Sequence, residues 1–184
     1  RSPSRGLGDV YKRQHFHGLF VGRVAYHRDA ELVVARFGGF EREAAVGIGG
    51  MGAANLSNME TENIVALCDV DWQYAKGTFD RYSKAKRYWD YRKMYEEMGK
   101  SIDGVIIATA DHTHAIITAD AMTMGKHVFC QKPLTHSVYE SRLLTKLAAS
   151  TGVATQMGNQ GASDEGTDLV CEWIWNGEIG EVTK

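Results

Sequence analysis

The sequence predicts an α/β fold, a doubly wound parallel sheet with helices on both faces, from three observations. From Ala44 onward, short apolar runs alternate with longer amphipathic stretches, the order expected of repeated βα units. The interiors Ile64-Val65-Ala66-Leu67-Cys68 and Val105-Ile106-Ile107-Ala108 are continuously apolar, as strands buried on both faces are. A glycine-rich turn separates the first apolar run from the stretch that follows it.

The front of the chain does not share this order. Residues 1–43 hold no sustained period of 3.6 or 2 and carry 8 Lys/Arg against 5 Asp/Glu, whereas residues 44–184 carry 13 against 18. The opening, Arg1 to Gln14, resembles translated adapter or vector sequence, has no initiating Met, and lacks the basic, apolar and small-residue order of a signal peptide. Residues 1–43 are therefore expected to be non-native or poorly ordered. Glu41-Arg42-Glu43 is too polar for a buried first strand, so that strand is expected to begin at Ala44.

Strands are then expected at 44–48, 63–69, 104–109, 127–130 and 153–157. Helices are expected at 52–59, 72–82, 91–98, 114–124 and 137–150. In the last of these, Tyr139, Leu143 and Leu147 recur every four residues with Leu144 and Ala148 beside them, a single apolar stripe. A further helix at 164–176 places Leu169, Val170, Trp173 and Ile174 on one face and stops at Gly177.

Composition narrows the function classes. The 184 residues are 43% hydrophobic and 24% charged with only 2 Pro, which is globular rather than disordered. No apolar run approaches the roughly 18 residues of a membrane span. A net charge of −2 carries no footprint for a phosphate backbone, so neither nucleic acid nor membrane is an expected partner. Cys68, Cys130 and Cys171 are widely spaced and read as small apolar residues of a reducing compartment.

The turn Gly47-Ile48-Gly49-Gly50-Met51-Gly52 satisfies G-x-G-x-x-G. The first glycine allows the tight turn, the second lets backbone approach a pyrophosphate, and the third lets helix and strand pack closely. The helix N-terminus then faces the anion. The next strand ends in Asp69, 17 residues beyond Gly52, where a carboxylate can take both ribose hydroxyls. Asp69 without a following Arg favours NAD over NADP. S-adenosylmethionine is the chemical rival for this loop, and capping of a helix at Trp72 by Asp69 and Asp71 is the structural one.

Two further turns sit where open α/β sheets place ligands. Ala110-Asp111-His112-Thr113-His114 follows one strand, with Asp111 or Thr113 able to cap the next helix. The two histidines with Cys130 and His136 match no ligand spacing, and no metal is expected. Gln131-Lys132-Pro133 follows another strand. Proline there restricts Lys132 to extended geometry and is a candidate for a cis bond, holding the ammonium in a fixed direction for proton transfer at an alcohol or carbonyl.

From about Ala45, these motifs together resemble the nucleotide-binding half of the Gfo/Idh/MocA oxidoreductases. The segments that carry the likeness are Val46 to Gly52, Leu67 to Asp71, Ala108 to His114, Gly125 to Leu134 and Gln156 to Gln160. The resemblance implies a Rossmann domain at 44–178 and NAD held by Gly47, Ile48, Gly49, Gly50, Met51, Gly52 and Asp69. It also implies that the turn of Thr109, Asp111 and His114 lies along the cofactor. Gln131, Lys132 and Pro133 match an E-K-P signature, in which the lysine is catalytic and the residue before it meets the nicotinamide ribose. Asn159 and Gln160 match positions lining the nicotinamide and substrate pocket. Gln131 stands where the family has Glu, removing a charge beside Lys132, and Ala110 stands where it has proline.

The implied activity is hydride transfer between NAD and a CH–OH carbon of a sugar or polyol. An NAD-dependent glycosidase or lyase using transient oxidation, and a non-catalytic nucleotide-binding module, are the alternatives. Residues 179–184 are expected to open a second, α+β substrate domain that is missing here. The chain is thus expected to bind cofactor without turnover, and homo-oligomers are possible for the full-length protein. A cytoplasmic location is expected, with folded export to the periplasm as the alternative.

Overall fold

The computed structural model describes residues 42–59, 61–160, 165–181 and 183, so the front segment up to residue 41 lies outside the described residues. The chain runs through β1 (Glu43–Val46), α1 (Gly50–Ser57), β2 (Ile64–Cys68), α2 (Lys76–Arg81), β3 (Lys86–Tyr88) and α3 (Tyr91–Met98). It continues through β4 (Gly104–Ile107), α4 (Asp111–Thr123), β5 (His127–Gln131), α5 (Val138–Thr151), β6 (Thr155–Gly158) and α6 (Glu165–Trp175). Among the described residues these form a six-stranded sheet of order β3-β2-β1-β4-β5-β6, with every pair parallel.

Alternate residues of the strands feed two cores. Ala44, Val46, Val105 and Ile107 pack with Met94, Ile117 and Leu144 of α3, α4 and α5, while Ala45, Leu67 and Ile106 pack with Leu56 and Phe79 of α1 and α2. The strand order reverses between β1 and β4, so the loops after these two strands part and leave a cleft at the carboxyl edge. A doubly wound parallel sheet is therefore what the chain forms.

The first strand starts earlier than expected, at Glu43. Arg42 makes a bidentate ion pair with Asp103, both bonds 3.1 Å, and its carbonyl accepts from the Asp103 amide. Glu43 lies inside β1 at 3% exposure. β1 pairs with β2 on one side and β4 on the other, and those backbone bonds carry a polar residue into the sheet. Glu43 folds its carboxyl over Gly104, where an added Cβ would lie 2.5 Å from Oε2, and Oε1 has no hydrogen-bond partner. Burial, then the charges of Glu62 and Asp103, push its pKa up to about 7.

Five other elements depart from expectation. β3 was not foreseen, because two of its three residues are Lys86 and Arg87 and it lies at the edge of the sheet. α2 starts at Lys76 rather than Trp72, since Asp71 Oδ1 accepts from the amides of Gln73 and Tyr74 and folds the intervening residues as a turn. α4 starts at Asp111, three residues before the expected start, which makes Asp111 to His114 its first turn. In α5, which opens on a Ser137–Glu140 capping box, Leu144 is the residue buried; Tyr139 and Leu143 of the expected stripe are exposed. The expected apolar face of α6, from Leu169 to Ile174, is likewise exposed among the described residues.

Candidate cofactor and active site

The loop after β1 is shaped by what its glycines leave out. Gly47 has φ +77°, and an added Cβ would lie 2.7 Å from the backbone of Ala108 and Thr109, so the loop lies directly against the end of β4. At Gly52 an added Cβ would come 1.8 Å from the carbonyl oxygen of Gly47, so α1 can start this close to the strand only without a side chain. Ile48 is buried, and Thr78 Oγ1 of α2 donates to its carbonyl at 2.8 Å. Gly50 and Met51, at the start of α1, are exposed.

Asp69 stands at the carboxyl end of β2 and reaches back to this loop. Its Oδ2 accepts from the amides of Ile48 at 2.8 Å and Gly49 at 3.3 Å, and its Oδ1 accepts from the Asp71 amide at 2.9 Å. Asp71 bonds the turn that leads to α2, and Asp69 joins that turn through the Asp71 amide. Neither acid caps α2, whose N-cap is Ala75 with no side-chain bond.

The second half of the cleft is assembled from β4, β5 and β6. His114, 1% exposed, lies with Nδ1 2.7 Å from the Pro133 carbonyl and Nε2 3.0 Å from the Thr109 carbonyl. Both partners are acceptors, so the ring ties the Thr109 turn to the Lys132 turn, donating to one carbonyl at a time when neutral. Thr113 Oγ1 lies 2.8 Å from both Thr109 Oγ1 and the Ala110 carbonyl and steadies the same turn. Asp111 and His112 are exposed on that first turn.

The Lys132–Pro133 bond is cis. Gln131 is buried beneath it at 3% exposure, donating from Nε2 to Asn55 Oδ1 of α1 at 3.2 Å and accepting from the Lys132 amide at 3.3 Å. A Cβ added at Gly158 would lie 2.8 Å from Gln131 Nε2, so the glycine of the Gln156 to Gln160 segment makes room for this amide. Lys132 and Asn159 are exposed at the cleft, and Gln160 is half-buried. An amide at position 131 pairs with the neutral Asn55 without leaving a carboxylate buried beside it.

Asn55, Thr78 and Gly158 were not among the residues the sequence singled out. Each acts across a long separation, Asn55 and Gln131 being 76 residues apart, and no local pattern announces such a pair. Cys68 and Cys130 are buried, and burial pushes their thiols up to about 12 and about 11. Among the described residues, no group of three or more His, Cys, Asp or Glu could hold a metal ion.

Residues 42–159 match the Gfo/Idh/MocA model, described as the oxidoreductase family with an NAD-binding Rossmann fold. The chain belongs to this family. Inositol 2-dehydrogenase of Salmonella typhimurium strain LT2 is 30% identical over 142 residues, 74% of this chain and 42% of that protein. The scyllo-inositol 2-dehydrogenase (NAD(+)) of Bacillus subtilis strain 168 is 31% identical over 144 residues, 76% of this chain and 42% of its own length. In three dimensions, scyllo-inositol dehydrogenase of Lactobacillus casei, solved with NAD(H) and scyllo-inositol, superposes with a TM-score of 0.67. That match is at 20% identity and covers 79% of this chain and 44% of the other. The chain therefore spans less than half the length of these relatives.

As a Gfo/Idh/MocA domain, the chain has NAD as its cofactor, and the residues present fit it. The glycines at 47 and 52 let the loop lie closely against β4 and α1, and Asp69 offers a carboxylate, rather than a cation for a 2′-phosphate, at the end of β2.

Proposed function

We propose that this chain forms the cofactor half of a dehydrogenase that oxidises a CH–OH group of a cyclic polyol or sugar, with Lys132 as its catalytic residue. The observation that carries this reading is the Lys132 turn. Its backbone is held by His114 at the Pro133 carbonyl and by Gln131 at the Lys132 amide, while the ammonium stays exposed at the edge where the glycine loop opens. The similarity to inositol dehydrogenases supports the substrate class.

NAD, when bound, supplies the hydride acceptor for the carbinol carbon. Lys132 would hold the substrate hydroxyl, donate a hydrogen bond to its oxygen and offset the charge that develops there as the hydroxyl proton passes to solvent water. Asn159, on the neighbouring strand end, orients the same group through its amide. Gly47, Gly49, Gly52 and Asp69 hold the diphosphate and ribose. The fixed turn keeps the lysine from sampling positions in which it cannot reach the hydroxyl.

The test is the absorbance of NADH at 340 nm during incubation of the protein carrying this domain with NAD and myo- or scyllo-inositol. Net NADH should accumulate, and Lys132→Met should lower kcat by about 10²-fold to 10⁴-fold, the usual weight of a positioned proton-transfer group. Cleavage of a glycoside with no net NADH would replace this reading by the glycosidase alternative.

A further inference from the structure

The second glycine of the fingerprint is covered. A Cβ added at Gly49 would lie 2.2 Å from Tyr74 Cε1 and 2.3 Å from Cδ1, and one added at Gly50 would lie 2.8 Å from the Tyr74 hydroxyl. One edge of the ring therefore lies against the stretch of backbone that a diphosphate has to approach. We propose that Tyr74 is an affinity-determining residue of the cofactor site, lying over Gly49 and Gly50 and turning outward when the diphosphate arrives. This rests on the assignment of the loop to NAD.

The placement follows from the turn between β2 and α2. Asp69 bonds both the loop amides and the Asp71 amide, and Asp71 Oδ1 accepts from the Tyr74 amide at 2.9 Å, so the segment is folded back onto the loop. The glycine offers a bare backbone surface that an aromatic ring can cover without a clash. Trp72 leaves the same turn in another direction, stacked on Trp89 at 5.5 Å and tilted against Phe79 at 5.4 Å, a cluster that Tyr74 does not join among the described residues.

The cover is also free to move. Tyr74 is 68% exposed, and its ring lies beside Gly49 and Gly50, which carry no side chains to hold it. Turning it outward costs contact area but breaks no ion pair. A ring over the loop in about nine-tenths of molecules raises the apparent Kd about tenfold, because only the open fraction binds.

The experiment is calorimetric titration of the 184-residue chain with NADH, with association rates from stopped-flow energy transfer between tryptophan and NADH. Tyr74→Ala should tighten Kd by roughly threefold to tenfold through a faster association, and Tyr74→Trp should weaken it. Tyr139→Ala, which removes an equally exposed ring on α5, should leave Kd unchanged. Saturable binding by wild type with an equal or weaker Kd for Tyr74→Ala overturns the role of Tyr74 and leaves the cofactor assignment standing. Absence of NADH binding by every variant overturns both.

Discussion

The two ends of the cleft are built on opposite plans. At the Asp69 end the polar groups engage one another: the carboxylate bonds two loop amides and its own turn, Thr78 holds the Ile48 carbonyl, and Tyr74 covers the glycines. At the Lys132 end the backbone is fixed from beneath by His114 and Gln131, while Lys132 and Asn159 are displayed to solvent. One end is closed on itself, and the other leaves its side chains open to solvent. A single sheet edge thus carries two unlike arrangements.

Substitutions at the tightest points should separate the two plans. Gly52→Ala drives a Cβ into the Gly47 carbonyl, a backbone atom that cannot yield, and should cost about 3 kcal/mol or more in a thermal or urea melt. Below the same end, Glu43→Val should stabilise the domain by roughly 3 kcal/mol at pH 8. The sign follows from a folded pKa raised to about 7 against an ordinary 4.5: the folded state holds this proton more tightly, so its stability falls as pH rises between these values and levels off above them. Melts at pH 4 and pH 8 should therefore show the advantage of the valine shrinking at the lower pH.

Smaller effects distinguish ligand binding from scaffolding. Asp69→Ala should weaken NADH binding by about tenfold to a hundredfold, the worth of hydrogen bonds to a charged group, as read by calorimetry. His114→Leu removes the tie between the Thr109 and Lys132 turns and should cost about 1 to 3 kcal/mol of stability by leaving a buried carbonyl unpaired. Gly158→Ala meets the end of Gln131 and the ring of Phe129 rather than backbone, so those side chains can shift, and about 1 kcal/mol should be lost. If Gly158→Ala proved costlier than Gly52→Ala, the contrast between the two ends would be wrong.

The sheet was legible wherever burial on both faces imposed a continuous apolar run, as in β2 and β4. It was illegible at β3, where Lys86 and Arg87 need only lend their backbone to Ala66 through Cys68. Glu43 misled for the same reason: a central strand position is held by backbone pairing from both sides, and one polar side chain does not override it. In the cleft, the positions of the glycine loop, Asp69 and Lys132 could be read because each is tied to a strand end in sequence. The contacts of Asn55, Gly158 and Tyr74 could not, because they arise only when separate elements meet. His114 was visible as a motif residue, yet its work as a tie between two carbonyls required the first turn of α4 to begin at Asp111.

Side-by-side calorimetric titrations of the unmodified chain with NADH and NADPH test the cofactor site most directly. Saturable binding of NADH is expected, with binding of NADPH weaker by at least about tenfold, because the 2′-phosphate would meet the Asp69 carboxylate and no arginine follows it in sequence. Equal or tighter binding of NADPH, or no binding of either, would contradict it.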